Sequence, residues 1–164
     1  LAYQFVTDIN YSEVVDFSEM EFVIPGPGAR DGLRKCFADG AGLNEAELIR
    51  LVADSQEREF ERLGIPFQSL WGRRLQLIDC QNLFCEVDKY ARVAHPEVSG
   101  ISGRTRIKQK FSATGPLLRP WYPPKWGIND KISANPSPTI EPPMRDEAEN
   151  PRTLQASLEL TEPQ

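Results

Sequence analysis

With 164 residues, 40% of them hydrophobic and 26% charged, the chain has the bulk character of one ordinary folded domain. No apolar run approaches the roughly eighteen residues that a membrane span requires, and three scattered cysteines (Cys36, Cys80, Cys85) exclude a disulfide framework and point to a reducing, intracellular compartment, nuclear in a eukaryote and cytoplasmic or nucleoid otherwise. The net charge of -5 disfavours a nucleic-acid partner only when taken whole: residues 129–164 hold seven acids and three bases, which leaves 17 acids and 16 bases in residues 1–128.

Leu1, Phe5 and Ile9 stand at helical spacing, so a first helix is expected over about 1–10, and the chain reads as a fragment that opens inside it. An acid-rich loop follows, then a Pro-Gly-x-Gly hairpin at Ile24–Ala29 and a short helix from about Ala29 to Phe37. Asn44-x-x-Glu47 is a variant of the capping box and opens a long helix that Gly64 and Pro66 close. Leu48, Leu51, Val52, Phe60 and Leu63 are its expected buried stripe. Asp79 is the expected N-cap of a further helix running to about Val93, with Leu83, Phe84, Val87 and Ala91 facing the core. Residues 100–128, punctuated by Gly, Pro and aromatics, should wrap this core. Residues 129–164 hold six of the 14 prolines and no aromatic residue, and read as a disordered acidic tail with a weak helical patch at Leu154–Leu160. The expected fold is therefore mainly α, a compact helical domain over 1–128, without internal repeats.

Two segments suggest a polyanion as partner. At the hairpin, Gly26 and Gly28 permit close backbone approach, and a helix starting at the second glycine would aim its first amides, including that of Ala29, outward at a phosphate. Arg30, Arg34 and Lys35 would add charge. The plainer reading is a turn without a ligand. Farther on, Arg104, Arg106, Lys108 and Lys110 alternate with other residues; on an extended strand all four point one way, roughly 6.6 Å apart, which suits a row of phosphates. Trp121, Tyr122 and Trp126 could stack on an exposed base. The plainer alternative is a solvated edge strand with the aromatics in the core.

Glu86, Asp88, Lys89 and Tyr90 are the candidate catalytic residues, an acid pair, an amine and a phenol close enough for proton transfer. The alternative is an Asp88–Arg92 helix pair with Tyr90 in the core. Cys80-x4-Cys85, Cys36 and His95 lack the spacing of a zinc site, so no metal is expected, and nothing indicates a cofactor. His95, just before Pro96, reads as a helix-end residue. No G-x-x-x-x-G-K-[ST] occurs, so phosphotransfer by a P-loop cannot be housed here, and GxSxG, HExxH and the dinucleotide-binding fingerprint are absent too.

Leu1–Tyr11, Pro25–Ala29, Leu83–Arg92, Gly103–Phe111 and Tyr122–Gly127 together resemble the helical domain of 5-hydroxymethyluracil DNA kinases, akin to the alpha-glutamyl/putrescinyl thymine pyrophosphorylases, over about residues 1–128. The resemblance implies a helix-hairpin-helix fold related to DNA glycosylases and a place in DNA base hypermodification. DNA is then the implied partner, together with a kinase or transferase domain of the same system, and no membrane. Glycosylases carry an acid in a Val-Asp-Thr-His type segment, to which Val87-Asp88-Lys89-Tyr90 is similar. Asp88, however, stands 60 residues after Gly28, far beyond the glycosylase spacing. Three readings stay open at this point: a DNA-binding module that presents a modified pyrimidine, a pyrophosphorylase- or glycosylase-like enzyme with a base pocket at Glu86–Tyr90, and a non-catalytic protein-interaction domain.

Overall fold

The computed structural model describes residues 2–37, 40–107 and 120–134. Among these residues five α-helices follow in chain order: α1 (Ala2–Asn10), α2 (Pro27–Cys36), α3 (Glu45–Leu63), α4 (Leu77–Ala94) and α5 (Asn129–Ala134). Short 3-10 turns lie at Gly40–Gly42 and Pro124–Trp126, and the described residues hold no strand beyond an isolated bridge between Leu70 and Arg73. The fold is mainly helical, as the sequence indicates. No helix of the described residues is long and apolar enough to cross a membrane.

Local signals set α3. The Asn44 side chain accepts from the Ala46 and Glu47 amides, both at 3.0 Å, and the Glu47 carboxylate accepts from the Asn44 amide at 2.7 Å. Gly64 ends the helix at φ 64°, a left-handed position that glycine takes without steric cost. Asn44→Ala should lower stability by about 1 kcal/mol, read as a reduced urea midpoint with an unchanged m-value.

The start of α4 differs from expectation. Its N-cap is Gln76, and Asp79 occupies the third helical position, where its carboxylate accepts from the Gln76 amide at 2.8 Å. Asp79 therefore supplies the returning half of a capping box, and the helix starts early enough to bury Leu77 and Ile78.

The core lies among α2, α3 and α4: Ala29 and Leu33, then Leu48, Ile49 and Ala53, then Leu77, Cys80 and Phe84. The stripe of α3 is rotated from the expected one. Leu51 and Leu63 are exposed, Val52 and Phe60 half-buried, and Ile49, Ala53 and Gln56 take the inner positions beside Leu48. The Gln56 amide accepts from Leu75 N–H and donates to the Leu75 carbonyl, so this polar residue closes the approach to α4. On α4, Phe84 and Ala91 are buried and Val87 is half-buried, but Leu83 is exposed, and so is Tyr90, which the helix-pair alternative places in the core.

On α1 the inner residues are Thr7 and Asn10, while Phe5 and Ile9 face outward. Asn10 bonds both ways with the Phe17 backbone, at 3.1 and 3.2 Å, and so folds residues 11–17 back on the helix. Residues 120–134 then lie along this side. Lys125 donates to Asn10, the Trp126 indole donates to Glu19, and the Arg73 guanidinium sits 3.8 Å from the Trp126 ring centroid. Ile128 and Ile132 are buried, so the packed unit continues through α5, past the boundary expected at 128. The tail from 135 on, with the patch at Leu154–Leu160, lies outside the described residues.

Candidate nucleic-acid interface

The glycine turn is built differently from a phosphate cradle. α2 starts at Pro27, one residue before Gly28, and Gly26 caps it in an extended conformation with φ -75°, so neither glycine is needed for a left-handed turn. They provide closeness instead. A Cβ on Gly28 would stand 3.2 Å from the Cys85 Sγ, and one on Gly26 would stand 3.4 Å from the Gln81 Oε1. The Gly26 amide donates to Gln81 at 3.1 Å. The Gly26 amide thus serves α4, although Gly26 and Gly28 stay half-buried rather than sealed. Nor does a helix lead into the turn: residues 11–26 separate α1 from α2 without one, so a literal helix-hairpin-helix is not formed.

A residue not singled out in the sequence organises the basic region. Asp31, on α2 and 2% exposed, accepts from the Ser102 amide at 2.9 Å, from the Ser102 hydroxyl, and from Arg104 at 3.5 Å. Gly100 lies so near that a Cβ there would meet the Asp31 carboxyl at 2.9 Å. This carboxylate ties the loop after α4 to the helix after the glycine turn. Its signal in the sequence is an acid between the apolar positions Ala29 and Leu33.

The loop borders two depressions on α2. One, of about 190 Å³, is lined by Leu33, Phe37, Leu48 and the exposed Ile101, with Arg30, Arg34 and Glu45 among its charged neighbours. The other, of about 70 Å³, is lined by Lys35, Arg92, Gly100, Gly103 and Arg104 among others. Arg30 pairs with Glu45 at 2.8 Å and remains half exposed. Arg104 is 39% exposed, and Arg106 is exposed with its carbonyl held by Arg92. Residues 103–107 do not form a strand, so the expected alternation of cations is not built over Arg104 and Arg106; Lys108 and Lys110 lie outside the described residues. Tyr122 and Trp126 stack on each other at 5.8 Å and are half-buried, whereas Trp121 is exposed.

The four catalytic candidates do not converge. Asp88 points inward, 1% exposed, between Lys35 at 3.0 Å and Arg92 one turn on. Burial pushes its carboxyl up, but the Arg92 and Lys35 contacts outweigh this and hold it below the ordinary carboxylate range. Glu86 and Lys89 pair with each other at 2.5 Å on the outer surface, and the exposed Tyr90 ring lies edge-on to His95. Successive helical residues turn by about 100°, so Glu86 and Tyr90 share a face that Asp88 does not. Among the described residues no three His, Cys, Asp or Glu gather as a metal site. The Cys80 thiol, buried, is pushed up to about 11, and burial also raises Cys85 and Cys36.

A family model described as 5-hmdU DNA kinase, helical domain, matches residues 1–100. No match was found among curated proteins or among solved structures.

Proposed function

We propose, from the premise that this chain belongs to the family of 5-hmdU DNA kinase helical domains, that it is a DNA-holding module: its α2 and 100–106 face grips the phosphate backbone while a partner domain performs chemistry on a modified pyrimidine. The observation that carries this reading is the Asp31 anchor, which keeps the Arg104 loop on α2 next to the Arg30 and Arg34 edge. Arg30 and Arg34 border a largely apolar groove where an unstacked base could lie, and the anchored loop beside it carries the exposed Arg104 and Arg106. The glycine turn contributes through its position at the head of α2 more than through its amides, since α4 already uses that of Gly26.

Asp88 supports the module over an enzyme in its own right. A carboxylate this enclosed, with two cationic partners, is engaged in packing rather than offered to a substrate. The chain also lacks a P-loop, so phosphotransfer would come from a kinase or transferase domain acting alongside it.

Replacing Arg104 and Arg106 together by Ala tests the reading. Binding to duplex DNA should weaken roughly tenfold or more near 0.1 M salt, and the slope of log K against log salt should shrink by about 1.8, at about 0.9 for each phosphate no longer neutralised. Changes of sequence in the duplex should matter little. A control at the outer face of α4, Glu86→Gln with Tyr90→Phe, should bind as the parent does. Unaltered affinity and slope in the double Arg variant would exclude this face as the grip.

A further inference from the structure

The smaller depression has a chemistry of its own. Lys35 and Arg92 form its inner wall, with side chains only 4% and 7% exposed, and Arg104 stands at the rim. Three cations thus face two carboxylates, Asp88 behind the wall and Asp31 under the loop. The outer nitrogens of Arg92 are committed to Asp88 and to the Arg106 carbonyl, but its Nε is buried without a hydrogen-bond partner. The Lys35 ammonium stands 3.0 Å from Asp88 Oδ1 as an ion pair without hydrogen-bond geometry, so that buried oxygen, like the Arg92 Nε, has no hydrogen-bond partner. Gly100 and Gly103 contribute no side chains to fill the space. Cations outnumber carboxylates here by three to two, a balance that favours an anion.

Size narrows the class of anion. A water needs about 10–15 Å³ of such space, so the 70 Å³ holds roughly five to seven water-sized positions. A phosphate group, with five heavy atoms, fits that volume.

We infer that this concavity is a binding site for a single phosphate group, with Lys35 and Arg92 as its cationic wall and Arg104 closing the rim. The inference deepens the DNA-holding reading and rests on it only for the source of the phosphate. A backbone phosphodiester and a phosphomonoester carried on a nucleotide share the chemistry.

The test titrates the whole chain with inorganic phosphate at fixed ionic strength, followed by amide and arginine Nε–H shifts, with chloride as the comparison anion. Saturable binding on the order of 1 mM is expected, with the largest shifts at Gly100, Gly103 and the Arg92 Nε–H. Thr105→Glu and, separately, Ser99→Glu place a carboxylate at the exposed rim and should each weaken phosphate roughly tenfold. Linear shifts matching those of chloride, or wild-type phosphate affinity in both variants, would overturn the site. Two oligonucleotides, with and without a terminal phosphomonoester, separate the sources: a gain that Thr105→Glu removes assigns the monoester, and equal binding weakened by Thr105→Glu assigns the backbone. DNA binding without saturable phosphate binding refutes this site and leaves the DNA-holding reading intact. Phosphate binding without DNA binding supports the site and ends the other.

Discussion

Gly32→Ala should destabilise the protein by about 3 kcal/mol, although in an isolated helix the same change would stabilise by up to about 1 kcal/mol. Gly32 is fully enclosed on α2, and a Cβ there would stand 2.0 Å from the Phe84 carbonyl oxygen and 2.8 Å from its carbon. Ordinary C···O contacts begin near 3.3 Å, so α2 and α4 would have to part by roughly 1 Å or more. The obstructing atoms are main chain in the middle of α4 and cannot swing aside. Parting the helices also loosens Ala29, Leu33 and Phe84, which close the core at this point. The urea midpoint should fall by more than about 1 M at constant m-value. Gly28→Ala is the matched comparison. Its Cβ would meet the Cys85 side chain at 3.2 Å, and a small shift of that thiol relieves the contact, so a change under about 1 kcal/mol is expected. If Gly32→Ala matched the parent in stability, the direct backbone contact of α2 and α4 would be wrong.

That contrast marks what the sequence could disclose. The Pro-Gly-x-Gly turn drew attention to Gly26 and Gly28 because its pattern is local, yet the glycine under the tightest steric demand is Gly32, whose neighbour lies far along the chain. α3 was legible because both of its ends are written within a few residues: Asn44 with Glu47 at one, Gly64 at the other. Its inner face was less so, since Leu51 and Ile49 are both apolar and only the position of α4 decides between them. The Asp88–Arg92 pair follows from i,i+4 spacing, but the Lys35 partner does not, and the role of Asp31 has no local signature because it meets Ser102 across 71 residues. The alternating cations at 104–110 suggested a strand on periodicity alone. Over Arg104 and Arg106 the chain instead follows the Asp31 anchor and the Arg92 bond to the Arg106 carbonyl.

The same dependence on distant partners makes Asp88 the most sensitive charged position. Asp88→Asn keeps the shape and one acceptor but removes the charge, leaving Lys35 and Arg92 as two enclosed cations without a counter-ion. Breaking a buried pair this way costs about 3–5 kcal/mol, and the side chains involved are only 1%, 4% and 7% exposed. The pH dependence has a definite sign. Burial opposes ionisation of Asp88, but Arg92 and Lys35 more than reverse this, so its folded carboxyl titrates below the unfolded value of about 3.9. Its contribution is then fully present above the unfolded value and is lost as pH falls through the folded one. The stability difference between parent and Asp88→Asn should accordingly stay constant from about pH 7 to 5 and shrink only in more acidic solution. A proton-transferring acid would behave in the opposite way, with a raised value and a difference that changes near neutrality. Adding Lys35→Met to Asp88→Asn removes one of the stranded cations and should recover part of the loss. A loss below about 1 kcal/mol for Asp88→Asn would mean that Lys35 and Arg92 reach water without it, and the cationic wall of the neighbouring concavity would then owe nothing to this carboxylate.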